Sequence, residues 1–274
     1  MGYYRVIDMK KNSHTLSVVY ATYNEEKNIE RSLQSIQDIA DEIIVVDGSS
    51  TDNTATLAKK LGARVISTTN KPIFHINKQM AMDAAQFSWV LQMDADEVID
   101  EEMKAHILRI VKTENKAEVA AGYWLRRKNW FLHGFLTKGG QYPDPVIRFY
   151  QRGKAHLPMV TVHEQMEVEG EVGWLEGHLL HYNAPTFSDY LRKANTYTTL
   201  TAQELSEEGI EPSFFTAMYY MIWKPKVIFF QLYLRHKGFQ DGFPGFVFAL
   251  FSGLHYLLAY IKLWELKQSS KKAL

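Results

Sequence analysis

The sequence contains no cysteine. This absence excludes disulfide bonds, thiolate zinc sites and cysteine nucleophiles, so any bound metal must be held by oxygen or imidazole groups. Net charge is also lacking, because 31 Lys and Arg balance 31 Asp and Glu. Without a net positive field the chain is not expected to bind nucleic acid. Residues 1–14 carry no apolar run of signal-peptide length, so we expect a protein that stays in the cytosol.

The C-terminal part of the chain differs in composition from the rest. Residues 213–274 carry eight Lys or Arg against two acids, and they hold 16 of the 36 aromatic residues. This shift predicts a catalytic domain over residues 1–211 and a basic, aromatic, helical extension over residues 212–274.

The extension suggests contact with a membrane. Residues 243–261 contain no Asp, Glu, Lys or Arg over 19 positions, which is close to the length of a spanning helix. The interruption by Lys224-Pro225-Lys226 in the preceding apolar stretch favours an interfacial position over a spanning one. We therefore expect peripheral attachment to the cytoplasmic inner face of the plasma membrane, with ordinary packing of these helices against the body as the alternative.

Strand-like and helix-like segments alternate over the first 113 residues. Apolar runs predict strands at residues 16–20, 42–46, 63–67 and 88–92. Helical spacing predicts helices at residues 29–39, 54–61, 78–85 and 100–113, and later at 188–208 with Ser188 as N-cap. Such alternation is typical of an α/β fold with a mostly parallel sheet, in which ligands bind beyond the carboxyl ends of the strands.

Polar side chains follow three of these predicted strands. Asn24, Asp47 and Asp94 each stand where a strand ends, so we expect them at one site. Asp94 and Asp96 are two residues apart, and this spacing lets both carboxylates face one hard cation such as Mg²⁺ or Mn²⁺. A solvated turn at a strand end is the alternative for such a pair.

Three segments together resemble the N-terminal signatures of the inverting GT-A glycosyltransferases of family 2. They read VVYATYNE at residues 18–25, IVVDGSSTDNT at 44–54 and QMDADE at 92–97. Residues 161–164, 178–183 and 237–245 look like the branch that includes lipopolysaccharide-core β-glucosyltransferases. The resemblance implies a GT-A fold, Rossmann-like with a mostly parallel central sheet. It also implies Mg²⁺- or Mn²⁺-dependent transfer of a hexose, with glucose as the best guess, from a UDP-sugar to a saccharide or lipid-linked saccharide.

The resemblance also implies roles for single residues. Asp47 would bind uracil or ribose, with capping of the following helix as the alternative. Lys78 would stand near the diphosphate, with a surface lysine as the alternative, and Asp94 would lie nearer the ribose or a metal-bound water. The loop lining the nucleotide would be formed by Thr22, Tyr23, Asn24 and Glu25.

Catalysis requires a base that removes the acceptor hydroxyl proton. The resemblance to family 2 implies Glu164 for this role, because the family carries its base in an equivalent motif. The alternative is that His163 and Glu164 only pair with Arg148 and have a structural role. Asp96 and His181 are implied as metal contacts, and His178 competes with His181.

Two other functions fit the α/β pattern less well. A sugar nucleotidyltransferase is expected to carry glycines and basic residues after its first strand, and residues 21–26 contain neither. A carbohydrate-binding protein with a degenerate site is disfavoured by the intact acids Asp94, Asp96 and Glu164.

Overall fold

The computed structural model describes residues 16–71, 73–113, 119–158 and 165–272. The chain forms two compact units, Met1–Arg127 with Pro145–His181, and Lys128–Asp144 with Tyr182–Leu274. The hairpin region 128–144 and the helix before residue 211 thus group with the C-terminal helices. We predicted a domain boundary between residues 211 and 212 from composition, which carries no information about long-range packing. This boundary stays a prediction.

The first unit begins with the alternation that the apolar pattern predicts. Strands β1, β2, β3 and β4 are mutually parallel and lie in the order β3-β2-β1-β4. Every residue of β4 is buried, as expected for strands covered on both faces. The elements are β1 (Leu16–Thr22), α1 (Ile29–Gln34), β2 (Glu42–Asp47), α2 (Thr54–Lys60), β3 (Arg64–Ser67), α3 (Phe74–Asp83) and β4 (Trp89–Met93).

The sheet becomes mixed beyond β4, because β8 pairs with β4 in the antiparallel direction. β12 pairs antiparallel with β5, and this pairing sets His181 opposite Glu97. β7 belongs to the second unit. The elements are β5 (Glu97–Ile99), α4 (Glu101–Val111), β6 (Gly122–Phe131), β7 (Gly134–Phe135), β8 (Asp144–Gln151), β9 (Ala155–His156), β10 (Glu167–Val168), β11 (Val172–Trp174) and β12 (Leu179–His181).

Two helix starts differ from the predicted positions. α3 begins at Phe74, so Lys78 lies inside the helix rather than at its start. α5 (Phe187–Glu207) is capped by Thr186, whose Oγ1 accepts a hydrogen bond from Asp189 N at 3.1 Å. The prediction of Ser188 as N-cap is therefore wrong, because a Thr two residues earlier satisfies the same exposed N–H groups.

The predicted helical extension is confirmed in the second unit. Helices α6 (Phe214–Met218), α7 (Lys224–Phe230) and α8 (Gly242–Lys272) follow α5, with π-helical turns at Tyr219–Trp223 and Gln231–Arg235 and a 3₁₀ turn at Gly238–Asp241. Pro225 stands in the first turn of α7, directly after a widened π turn, so the Lys224-Pro225-Lys226 interruption of the apolar stretch does not end the helical path. By length and composition, one helical stretch of the described residues, Gly238–Ser269, is able to cross a membrane.

Candidate active site

A pocket of about 270 Å³ opens at the carboxyl ends of β1 and β4 in the first unit. Seven of the residues predicted to contact nucleotide or metal line it, together with Asn70, Phe74 and Asn77. A pocket does form at the ends of β1 and β4, but of the three strand-end residues predicted to share one site, Asn24, Asp47 and Asp94, only Asp94 lines it. The seven are Thr22, Tyr23, Glu25, Lys78, Asp94, Asp96 and His181.

Asp94 is held by two cations. Lys78 Nζ lies 2.5 Å from Asp94 Oδ1, and Arg148 Nη2 lies 2.9 Å from Asp94 Oδ2. Lys78 is only 6% exposed, so it is not a surface lysine. Burial by itself would raise the pKa of Asp94, but Lys78 and Arg148 beside it hold that pKa well below its usual range. Asp94 is therefore ionised and anchors both cations.

A buried acid completes this cluster. Glu97 is fully buried, and its Oε2 accepts a hydrogen bond from Asp94 N at 2.9 Å. Its Oε1 lies 3.5 Å from Arg127 Nη1 and 3.8 Å from Arg148 Nη2. Three cations and two carboxylates share the cluster, which alone carries one net positive charge, while the acids Glu25 and Asp96 line other parts of the pocket. That charge favours binding of an anionic ligand group.

Asp96 and His181 form a second polar cluster of the pocket. Asp96 Oδ2 lies 3.5 Å from His181 Nε2, and both residues line the pocket. His178 lies elsewhere, with Nδ1 2.9 Å from Asp100 Oδ2 at the start of α4. A carboxylate oxygen and an imidazole nitrogen fit a divalent cation whose other ligands are diphosphate oxygens. The geometry thus favours His181 over His178 for this role.

Asn24 ties the loop after β1 to the loop after β2, and Asp47 orders the second loop. Asn24 Oδ1 accepts a hydrogen bond from Thr51 N at 2.8 Å, and Asp47 accepts from Ser50 N at 3.0 Å and from Ser50 Oγ at 2.5 Å. The N-cap of α2 is Asn53, so the alternative that Asp47 caps this helix is wrong. Neither Asn24 nor Asp47 is among the residues that line the pocket.

Two buried polar atoms of the pocket have no hydrogen-bond partner within the described residues. They are Thr22 Oγ1 and Asn77 Oδ1. Asn77 Nδ2 donates to Thr69 O at 3.0 Å, which leaves its carbonyl oxygen as the atom available to a ligand. Buried polar atoms of this kind are normally satisfied, so their position in a pocket indicates a polar ligand.

Asn77 and Arg148 were not predicted as pocket or pocket-supporting residues. Arg148 interrupts the apolar run Val146-Ile147-Arg148-Phe149-Tyr150, and a charge inside a buried strand was the available signal. Nothing in the local pattern distinguishes Asn77 from a solvent-facing helical residue. Glu164, the predicted base, and His163 lie outside the described residues.

Comparison with known proteins assigns the family. The profile described as glycosyl transferase family 2 matches residues 17–164, more than half of the chain. The chain belongs to glycosyl transferase family 2. The predicted α/β fold of GT-A type is confirmed by this membership together with the β3-β2-β1-β4 parallel sheet. Membership of a transferase family favours the glycosyltransferase over the nucleotidyltransferase and binding-protein alternatives.

Relatives of this family 2 protein include bacterial glycosyltransferases. One from Rickettsia typhi is 29% identical over 270 residues, covering 94% of this chain and 90% of the relative. The lipopolysaccharide core biosynthesis glycosyltransferase LpsC of Rhizobium meliloti is 28% identical over 256 residues, covering 91% of this chain and 92% of LpsC. The resemblance to the lipopolysaccharide-core branch is thereby confirmed.

Solved structures match this family 2 chain more distantly. TarS 1-349 of S. aureus aligns with a TM-score of 0.46 and 16% identity, covering 95% of this chain and 92% of TarS 1-349. Glucosyl-3-phosphoglycerate synthase of Mycobacterium tuberculosis, crystallised with Mn²⁺ and UDP-glucose, aligns with a TM-score of 0.43 and 20% identity, covering 73% of this chain and 81% of that one.

Proposed function

We propose that this family 2 glycosyltransferase is an inverting hexosyltransferase of lipopolysaccharide core biosynthesis. Its donor is a UDP-sugar, with UDP-glucose as the first choice, and its acceptor is a saccharide or lipid-linked saccharide. The observation that carries the proposal is the pocket in which Lys78 and Arg148 flank Asp94 while Asp96 and His181 face the same space. The 28% identity to LpsC supports the pathway.

The pocket residues suit the departure of a nucleoside diphosphate. The positive cluster around Asp94 attracts the diphosphate, and Lys78 Nζ carries its charge at the pocket wall. Asp96 and His181 would hold Mg²⁺ or Mn²⁺, and the bound cation would supply further neutralisation of the leaving group. Thr22 and Asn77 offer oxygen atoms to the polar groups of the nucleoside.

The reaction is a single displacement. The acceptor hydroxyl oxygen attacks the anomeric carbon while the bond to the diphosphate oxygen breaks, which inverts the configuration at that carbon. Glu164 is the proposed base that takes the hydroxyl proton. Binding of both substrates in one site supplies the orientation that makes this displacement fast.

We also propose that the enzyme works on the cytoplasmic face of the plasma membrane. Large aromatic side chains of the second unit are exposed, among them Phe215 at 82% and Phe243 at 72%. Such residues, together with the basic Lys224 and Lys226 of the same unit, fit the headgroup region of an anionic bilayer. The expected result is binding to anionic liposomes that salt or mild detergent reverses.

The activity test measures UDP release by the full-length protein with core oligosaccharide acceptors. UDP-glucose, UDP-galactose and UDP-N-acetylglucosamine are compared with and without Mn²⁺, Mg²⁺ and a chelator. We expect release from UDP-glucose in the presence of the metal and its loss with the chelator. Release from none of the UDP-sugars, with turnover of another nucleotide sugar, would overturn the proposed donor class.

Variants test the roles of the acids. Asp96→Asn is expected to lower kcat/KM by about 100-fold or more, because it removes a proposed ligand of the cation. Glu102→Gln is the comparison, since Glu102 lies with Asp100 and His178 in a second group of possible metal ligands outside the pocket, and we expect it to keep near-normal kcat/KM. A larger loss in Glu102→Gln than in Asp96→Asn would move the cation site to that group. Glu164→Gln is expected to keep UDP binding and lose turnover. Near-normal turnover in this variant would remove Glu164 from the role of base.

A further inference from the structure

Glu97 is a buried acid to which the proposed reaction gives no role. Its side chain is fully buried and does not line the pocket, whereas the three residues before it, Asp94, Ala95 and Asp96, all line it. A buried carboxylate is costly unless its charge is paired and its oxygen atoms are hydrogen-bonded. The partners of this carboxylate therefore indicate which part of the site it supports.

Glu97 closes the turn that carries the two aspartates of the pocket. Its backbone N donates to Asp94 O at 3.0 Å, and its Oε2 accepts a hydrogen bond from Asp94 N at 2.9 Å. Both backbone polar groups of Asp94 are thus bonded to one residue, three positions further along the chain. Asp96 lies inside this closed turn, so the two bonds of Glu97 set the backbone position from which the Asp96 carboxylate reaches the pocket.

The same residue is the strand partner of His181. β5 begins at Glu97, and in the antiparallel pairing of β5 with β12 Glu97 stands directly opposite His181. Residues opposite each other in such a pair lie about 4.5 to 5.5 Å apart between their Cα atoms. Asp96, directly before Glu97, therefore comes close to the His181 ring, and Asp96 Oδ2 lies 3.5 Å from His181 Nε2. The two proposed metal contacts thus meet where the turn ends and β5 begins.

The second carboxylate oxygen of Glu97 faces two arginines. Oε1 lies 3.5 Å from Arg127 Nη1 and 3.8 Å from Arg148 Nη2, so one oxygen serves the turn and the other serves the cations. A glutamine of the same volume has one oxygen and one NH₂ group. It would either lose the bond from Asp94 N or turn its NH₂ group towards a guanidinium. The arrangement therefore requires a carboxylate and not only an acceptor of this size.

We propose that Glu97 is a positioning residue, which holds Asp96 and His181 at the spacing that binds the divalent cation. The proposal rests on the proposed metal-dependent function, in which Asp96 and His181 would be the ligands. Glu97 acts through the turn and touches neither the cation nor the sugar. Replacement of groups that orient metal ligands typically lowers metal affinity by about 10- to 100-fold. We expect a loss of this size when Glu97 is replaced.

The test measures the affinity of the full-length protein for UDP by calorimetry, in metal-free buffer and with excess Mn²⁺. In Glu97→Gln the affinity for UDP with Mn²⁺ should fall by about tenfold or more. UDP without metal should bind at least as tightly as it binds to wild type, because the variant removes a negative charge from the cluster beside the pocket. Equal losses of both affinities would indicate general damage and would overturn the positioning role.

Glu97→Asp separates the position of the carboxylate from its charge. Aspartate keeps the charge but is one methylene shorter, so its oxygens cannot reach both Asp94 N and the arginines. We expect this variant, too, to lose affinity for UDP with Mn²⁺. Wild-type affinity in Glu97→Asp would show that the charge alone is sufficient and would refute closure of the turn as the cause.

Glu42 provides the matched control, at the start of β2 and away from the pocket. Its Oε2 accepts a hydrogen bond from Gln86 N at 3.1 Å, and its Oε1 lies 3.0 Å from Arg64 Nη2. It therefore combines a backbone bond with an arginine, as Glu97 does. Glu42→Gln should keep the wild-type affinity for UDP with and without Mn²⁺. A loss as large as that of Glu97→Gln would assign the effect to stability and not to position.

Hydrogen exchange in wild type tests the turn without any substitution. The amide hydrogens of Asp94 and Glu97 are both bonded in the closed turn, so they should exchange slowly in the metal-free protein. Fast exchange that slows only when Mn²⁺ and UDP are added would mean that the ligands form the turn, and would refute the proposal.

The calorimetric comparison also separates this proposal from the proposed function. If Mn²⁺ does not raise the UDP affinity of wild type, the proposed metal site is wrong, and the positioning role is overturned with it. If Mn²⁺ raises the UDP affinity of wild type and of Glu97→Gln by the same factor, the metal site stands and only the positioning role is refuted.

Discussion

Replacement of Arg148 by Met tests whether the two cations around Asp94 support the first unit. The change removes the guanidinium that lies 2.9 Å from Asp94 Oδ2 and 3.8 Å from Glu97 Oε1, while it keeps most of the apolar side-chain volume. Glu97 is fully buried, and the Asp94 side chain is 25% exposed. An acid that loses its partner in such a position carries an uncompensated charge.

The expected loss of stability in Arg148→Met depends on the contacts of Asp94 that the variant keeps. Removing one partner of a buried ion pair costs about 3 to 5 kcal/mol, and we expect the lower end because Lys78 still holds Asp94. With a urea dependence of about 3 kcal/mol per molar, a loss of about 3 kcal/mol moves the unfolding midpoint down by about 1 M. Urea unfolding followed by tryptophan fluorescence measures this shift.

A neighbouring arginine provides the control. Arg152 follows β8 and donates a single hydrogen bond to Ala85 O at 3.3 Å, so Arg152→Met should cost about 1 kcal/mol or less. Arg148→Lys keeps the charge but not the forked geometry, and its midpoint should fall between those of wild type and Arg148→Met. Equal midpoints for Arg148→Met and Arg152→Met would refute the reasoning.

Three further predictions concern glycine, capping and burial. Gly177→Ala should lower the free energy of unfolding by about 3 kcal/mol or more, because a Cβ there would lie 2.3 Å from a backbone nitrogen of α4. Gly153 has a similar positive φ but open space around it, so Gly153→Ala should cost only about 1 kcal/mol. Thermal unfolding measures both losses. Equal losses would show that the close contact does not matter. Thr186→Ala should cost about 1 kcal/mol through loss of the α5 cap, and an unchanged melting temperature would contradict this role. Burial raises the pKa of Tyr190 from 10.0 to about 12, so the folded state favours the neutral phenol. The stability that this neutral phenol contributes is complete below pH 10 and is lost as the pH rises to 12. Tyrosinate absorbance near pH 12 should lose the contribution of one tyrosine in Tyr190→Phe, while the buried Tyr20 and Tyr150, whose pKa values burial also raises, still titrate late. An unchanged absorbance near pH 12 in the variant would assign the step elsewhere.

Much of the fold follows from local patterns. Apolar runs located β1, β2, β3 and β4, and polar residues at their ends indicated a site at that edge. Such patterns succeed because burial on both faces demands continuous apolar strands, and parallel strands bring their carboxyl ends to one edge. The same patterns placed the N-cap of α5 wrongly, since Ser188 and Thr186 have similar capping ability and the chain path decides between them.

The sequence by itself determined the family, through three motifs, and the aspartates of the pocket, through their place at a strand end. Only the tertiary structure decided which charges meet. Arg148 reaches Asp94 across 54 residues because β8 pairs with β4, and His181 rather than His178 approaches Asp96 because of the register between β12 and β5. Periodicity reports which face of an element is buried, whereas an ion pair depends on strand order and register, which long-range packing sets.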